Sequence, residues 1–152
     1  YGPNDNFNIK NSHFIPALIK KFIESKNNKK KNVEIWGSGN PKREVMHVDD
    51  LASAISFVLE KKLSNNKKLK RLIRLNSLIN VGSGQEFTIR QFAEKIKELT
   101  ASNKKLKFNK KFPDGTKRKV LDISLMKKLG WKSKINLTNG LSSTIKWYKS
   151  HY

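Results

Sequence analysis

The apolar patterning of these 152 residues predicts an α/β or α+β fold, a small mixed sheet with helices packed on it. Three observations carry that expectation. Apolar residues recur at helical spacing from Phe14 to Ile23. Short runs such as "VEIWG" (33–37) have the length and composition of strands. The two kinds of segment then alternate along the chain, with no internal repeat.

After a turn-rich opening, "YGPNDNF" (1–7), the sets Phe14, Leu18, Phe22 and Ile15, Ile19, Ile23 each lie on one helical face. Pro16 has no N–H and belongs in a first turn, so the N-cap falls near residues 13 to 15. "VEIWG" is a strand closed by a glycine turn, and "VMHV" (45–48) a second short strand. Asp49 or Asp50 caps the helix that follows over "LASAISFVLEKK". A long basic connection comes next, whose "LIRLNSL" has no assignable element. "LINVGSG" (78–84) reads as a strand ending in a turn, and Thr88 with Gln91 forms a capping box for "IRQFAEKIKEL". "KLKFN" (105–109) is a further strand. Asp122 caps a short helix closed by Gly130, and a last amphipathic helix covers about Asn139 to Ser150. The order is helix, strand, strand, helix, strand, helix, strand, helix, helix. A complete dinucleotide-binding fold is excluded, because the opening βαβ unit is absent from these residues.

The composition suits one polar globular domain, residues 1–152. No apolar run approaches the ~18 residues of a membrane span, and no secretory signal is present. With no cysteine, and with His13, His47 and His151 scattered, no metal site is expected. The compartment is expected to be the cytosol. The chain begins at Tyr1 rather than methionine and is expected to be a piece of something longer.

A net charge of +21 raises the possibility of a nucleic-acid partner. The details argue against it. The cations are 28 Lys and only 5 Arg, whereas base-edge recognition favours arginine. The lysines cluster in asparagine-rich runs at 26–32, 61–71 and 103–111, between the periodic segments, where solvated loops are expected.

Three motifs deserve weighing. "INVGSGQEFTIRQF" imitates a phosphate-binding glycine loop, but Phe87 stands where the third glycine should be, so a tight strand-to-helix turn explains it. "WGSGNPKRE" (36–44) sets an indole, a flexible turn and an arginine close together. That suits stacking on a base and gripping phosphate, or equally a glycine hairpin with a half-buried tryptophan. "PDGTKRKVLD" (113–122) alone reads as a solvated basic turn before a helix cap.

Taken together, "YGPNDNF" (1–7), "SHFIPALIKKF" (12–22), "IWGSGNPKREVMHVDDLA" (35–52), "INVGSG" (79–84), "TIRQFAEKI" (88–96), "PDGTKRKVLD" (113–122) and "LGW" (129–131) resemble one family. They look like the carboxyl-terminal half of the GDP-L-fucose synthases, which are extended short-chain dehydrogenase/reductases. "HVDDLA" is widespread among nucleotide-sugar epimerases and dehydratases; "YGPNDNF" with "SHFIPAL", and "PDGTKRK" before "LD", are more specific. The resemblance implies a substrate-binding half with most of the Rossmann βαβ core missing. It also implies an NADPH-dependent 3,5-epimerase/4-reductase acting on GDP-4-keto-6-deoxy-D-mannose, a homodimer when complete. The family's histidine of "SH" is assigned the acid role and lies near the cofactor; here it is His13. Lys21 stands where a cation, often arginine, approaches the diphosphate. Trp36, Arg43, Asp114 and Lys119 match substrate-contacting positions. Phe112 departs from a common lysine and Lys117 from a common proline, which puts the local loop shape in doubt. The Ser, Tyr-x-x-x-Lys and glycine-rich cofactor loop of the family are not in this chain. Tyr1 is not that tyrosine, since Asp5 stands four residues on. NADP would therefore be bound mainly by the half not present. The alternatives are another nucleotide-sugar epimerase or dehydratase and, from a different class, a basic module for RNA or another polyanion.

Overall fold

The computed structural model describes residues 1–26, 31–63, 65–75 and 78–152. Residues 27–30 and 64 of two lysine-rich runs, and 76–77 of "LIRLNSL", lie outside the described residues.

Helix α1 (Phe14–Ser25) starts where Pro16 requires, with His13 at the N-cap in extended conformation. Its buried stripe of Ile15, Leu18, Ile19 and Phe22 packs with Phe92, Ala93 and Ile96 of α4 (Ile89–Leu99) and Leu141, Ile145 and Tyr148 of α6 (Leu137–His151). Each large apolar side chain buried here contributes roughly 1.5–3 kcal/mol. Thr88 and Gln91 form the expected capping box on α4. Asn136 caps α6, starting it slightly earlier than the sequence pattern suggested.

Strand β1 (Asn32–Trp36) runs parallel to β4 (Lys105–Asn109), Trp36 opposite Asn109. The period of two decides what faces where: Val33 and Ile35 enter the core, and Trp36 falls on the outer face. A second sheet has β2 (Lys42–Glu44) in its centre, antiparallel to β3 (Glu86–Thr88) and parallel to β5 (Arg118–Lys119).

Two expected strands are corrected. "VMHV" is not a strand: the ladder partners lie at 42–44, and α2 (Val48–Leu63) already begins at Val48. His47, not Asp49 or Asp50, precedes the first turn; its carbonyl accepts from Asp50 N and Leu51 N. Asp50 is buried instead against Lys134 N and Ile135 N at 3.0 Å each. Residues 78–84 form no strand either, because no described segment pairs with them in a ladder; Glu44 ties their turn down by accepting from Gly84 N at 2.6 Å. The unassigned "LIRL" is helical, part of α3 (Lys67–Leu75). Leu72 and Ile73 pack with Ala54, Met126, Leu129 and Trp131 in a second apolar cluster. Helix α5 (Ser124–Leu129) has the Asp122 carboxylate accepting from Ser124 N, and Gly130 ends it at φ 94°.

Candidate functional site

Two cavities meet at the amino end of α1 and share Phe14. The first, about 410 Å³, is lined by the 1–5 loop, His13, Val45 and Met46. The second, about 320 Å³, is lined by Ser12, Ala17, Lys21, Trp36, Arg43 and Asp114 among others.

The second cavity is assembled from four distant stretches, 9–21, 35–43, Ile89 and Asp114. α1 carries Lys21, two turns in from its start. The Lys21 ammonium donates to Glu34 O at 3.1 Å and lies 5.4 Å from the centre of the Trp36 ring. Partial burial pushes its pKa down from the ordinary lysine value, an effect the Glu34 carboxylate partly offsets. Trp36 is 61% exposed, and its outer position follows from the strand alternation. Phe112 stacks on it, ring centres 4.4 Å apart and planes within 13°.

Asp114 closes the cavity. Its carboxylate accepts from Ser38 N at 2.6 Å and from Ser38 Oγ at 2.7 Å. These hydrogen bonds, the backbone one first, hold its pKa below the usual carboxylate value. Gly37 makes the approach possible: its φ is 82°, and a Cβ there would collide with Asp114 Oδ1. Arg43 Nη1 donates to Lys42 O and Thr116 O at 2.8 and 2.7 Å, which fixes the guanidinium and leaves Nη2 without a protein partner among the described residues.

The structure therefore brings together Lys21, Trp36, Arg43 and Asp114. It does not add Lys119 to them. Lys119 sits opposite Arg43 in the β2–β5 ladder but lines a third cavity, about 520 Å³, with Glu44, Gly82 and Leu121. His13 is exposed in the first cavity, and its ring makes no hydrogen bond among the described residues. Sequence reasoning missed Ser38 as the anchor of Asp114 and Phe112 as the partner of Trp36; nothing local signals either contact, which join residues 76 apart in both pairs. Among the described residues no group of acidic and histidine side chains could hold a metal, and no helix is long and apolar enough to cross a membrane.

Tyr1 and Val48, which line the first cavity, are tied to each other. Val48 N donates to Tyr1 O at 2.9 Å, and the Tyr1 ring meets buried His47 edge-on at 5.5 Å. Burial, with Asp50 nearby, pushes the Tyr1 phenol up to about 12, so it stays protonated at neutral pH.

The chain is thus a mixed α/β unit with two adjoining cavities at the amino end of α1. Residues 1–82 match the NAD dependent epimerase/dehydratase family, and the chain belongs to that family. It is similar to GDP-L-fucose synthase 1 of Arabidopsis thaliana, 46% identical over 97% of this chain and 42% of the relative. GDP-L-fucose synthase of Escherichia coli strain K12 is 43% identical over 97% of this chain and 46% of its own length. Among solved structures, a GDP-mannoheptose C4 reductase from Campylobacter jejuni with NADP bound superposes with a TM-score of 0.78 at 29% identity, over 98% of this chain and 50% of that one. The chain thus spans less than half the length of the curated relatives named here.

Proposed function

We propose that this chain is the substrate-binding part of a GDP-L-fucose synthase, an NADPH-dependent enzyme that epimerises and reduces GDP-4-keto-6-deoxy-D-mannose. The observation that carries the reading is the convergence of Lys21, Trp36, Arg43 and Asp114 on one cavity. The similarity to GDP-L-fucose synthases supports it.

Each residue has a task that its chemistry suits. The Lys21 ammonium and the free edge of the Arg43 guanidinium offer two cations to a diphosphate. Trp36 presents an indole face to a base or sugar. Asp114, kept ionised by Ser38, accepts hydrogen bonds from a guanine edge or a ribose hydroxyl. Lys119, from its neighbouring cavity, adds positive potential. Epimerisation beside a ketone needs a proton removed and returned through an enolate. His13 returns it, its imidazole exposed in the adjoining cavity at the positive end of α1.

That adjoining cavity, about 410 Å³, would admit one end of a dinucleotide, with His13, Asn4 and Asp5 as the polar contacts this chain would contribute. NADPH, when bound, supplies hydride to the ketone. The complete protein is proposed to be a cytoplasmic homodimer.

The test is direct. Protein expressed from its full coding region should oxidise NADPH in the presence of GDP-4-keto-6-deoxy-D-mannose and yield GDP-L-fucose by NMR. The 152-residue chain alone should oxidise none. A full-length protein that turns over a UDP- or dTDP-sugar but not this substrate would transfer the chain to another branch of the family.

A further inference from the structure

Ser12 lines the same cavity as the four converging residues, and its hydroxyl, buried behind that wall, has no task. Ser12 Oγ is shielded from solvent and lacks a hydrogen-bond partner, the one such buried side-chain atom among the described residues. A hydroxyl in that state has given up its hydration for nothing, and native proteins rarely leave one so. Its backbone is firmly held: Ser12 N donates to Asn8 O at 2.8 Å, and Asn11 N to the same carbonyl at 3.1 Å. The Asn6 side chain braces this loop, donating to Asn11 Oδ1 and accepting from Asn8 N. The position is thus built, and only the hydroxyl is unspent.

We propose that Ser12 Oγ, which no partner holds in its buried position, turns about the Cα–Cβ bond into the cavity its residue lines, hydrogen-bonds the hexose of the bound nucleotide sugar and so sets the sugar against His13. The inference rests on the reading of the cavity as a nucleotide-sugar site. Helix α1 orients the ligand. From His13 to Lys21 it advances about 12 Å, and the cations and Trp36 hold the far end. A ligand with its diphosphate at Lys21 then extends its hexose back toward the amino end, where Ser12 and Phe14 line the wall. A serine hydroxyl both donates and accepts, so it can pair with a sugar hydroxyl or a ketone oxygen. Ser12 and His13 are joined by one peptide bond, so a hexose held by the first is placed relative to the second.

The experiment uses protein from the full coding region and two probes, GDP and GDP-mannose, by calorimetry, with thermal unfolding alongside. Ser12→Ala should weaken GDP-mannose by about three- to tenfold, the loss of one neutral hydrogen bond, and leave GDP within about twofold of the parent. Its unliganded Tm should equal or exceed the parent's, since the substitution removes an unpaired polar atom. Ser12→Thr, which keeps the hydroxyl, should recover part of the GDP-mannose affinity. Equal affinities for both probes in Ser12→Ala and parent, or an equal fall for both, would overturn the proposal. So would a lower unliganded Tm, which would mean that the hydroxyl has a structural partner such as an internal water. If the parent itself binds neither probe, it is the nucleotide-sugar reading that fails.

Discussion

The two sides of the first turn of α1 are built to different standards. On the Lys21 side the four converging side chains are tied before any ligand arrives: Asp114 to Ser38, Arg43 to two carbonyls, Lys21 to Glu34 O, Trp36 to Phe112. On the His13 side the imidazole is exposed and has no hydrogen bond among the described residues. Preorganised donors and cations lower the cost of binding, because little freedom is lost when the ligand comes. A proton-transfer group without an orienting partner is not positioned by this chain alone. On the proposed reading, recognition falls to the side chains that are tied and proton transfer to the one that is not.

The largest expected effect tests the bare side. In protein from the full coding region, His13→Gln should keep GDP affinity but slow the proton-transfer steps by about 10²–10⁴-fold. Glutamine keeps much of the volume and hydrogen bonding but exchanges no proton near neutral pH. Reduction should suffer less, so sugars reduced before both centres have inverted should accumulate. NMR in heavy water would show less deuterium at the carbons beside the ketone. Fully inverted product at the parent rate would return His13 to helix punctuation and erase the contrast.

The next effect tests the built side. Arg43→Ala should weaken GDP binding about tenfold or more, as expected for a charge-assisted hydrogen bond worth roughly 1.5–3 kcal/mol. Arg71→Ala, at an exposed position on α3, removes the same charge at a place without site residues and should change affinity little. Similar losses in the two variants would mean that overall positive charge, not the cavity, attracts the nucleotide, as the polyanion reading requires.

How much of this was legible in the sequence follows from the range of the interactions. α1, α4 and β1 announce themselves because their apolar period and caps are local: Pro16, the Thr88–Gln91 box, Val33 and Ile35. β3 and β5 span three residues and two, too few to show a period, and exist only because β2 lies between them. "VMHV" has good strand composition yet loses to the helix start at His47. α3 was hidden by its cations, since its apolar residues find their partners in a cluster drawn from distant segments, α2, α5 and Trp131 among them. The site residues were named from resemblance. That four share a cavity while Lys119 does not depends on pairings between distant segments, such as Ser38 with Asp114, that no window of sequence contains.

The smallest effect asks what kind of cation the built side needs. Lys21 is partly buried, and burial lowers its pKa from 10.5, with Glu34 opposing. A lowered lysine pKa means that the ammonium is lost at a lower pH than an exposed lysine would allow. GDP affinity should therefore decline as pH rises from neutral toward the ordinary lysine range. In Lys21→Arg the guanidinium stays charged throughout that range, since its pKa exceeds about 12, and its fork can grip the diphosphate by two bonds. The variant should bind GDP about as well as the parent at neutral pH and about threefold or more tightly at the alkaline end, within the range of one charge-assisted hydrogen bond. Guanine's own deprotonation weakens binding in both proteins alike, so the difference between the two calorimetric profiles is the readout. Parallel profiles would remove Lys21 from the diphosphate contacts. The built side would then rest on Arg43, Trp36 and Asp114, with Lys21 serving to hold Glu34 O and the edge of β1 in place.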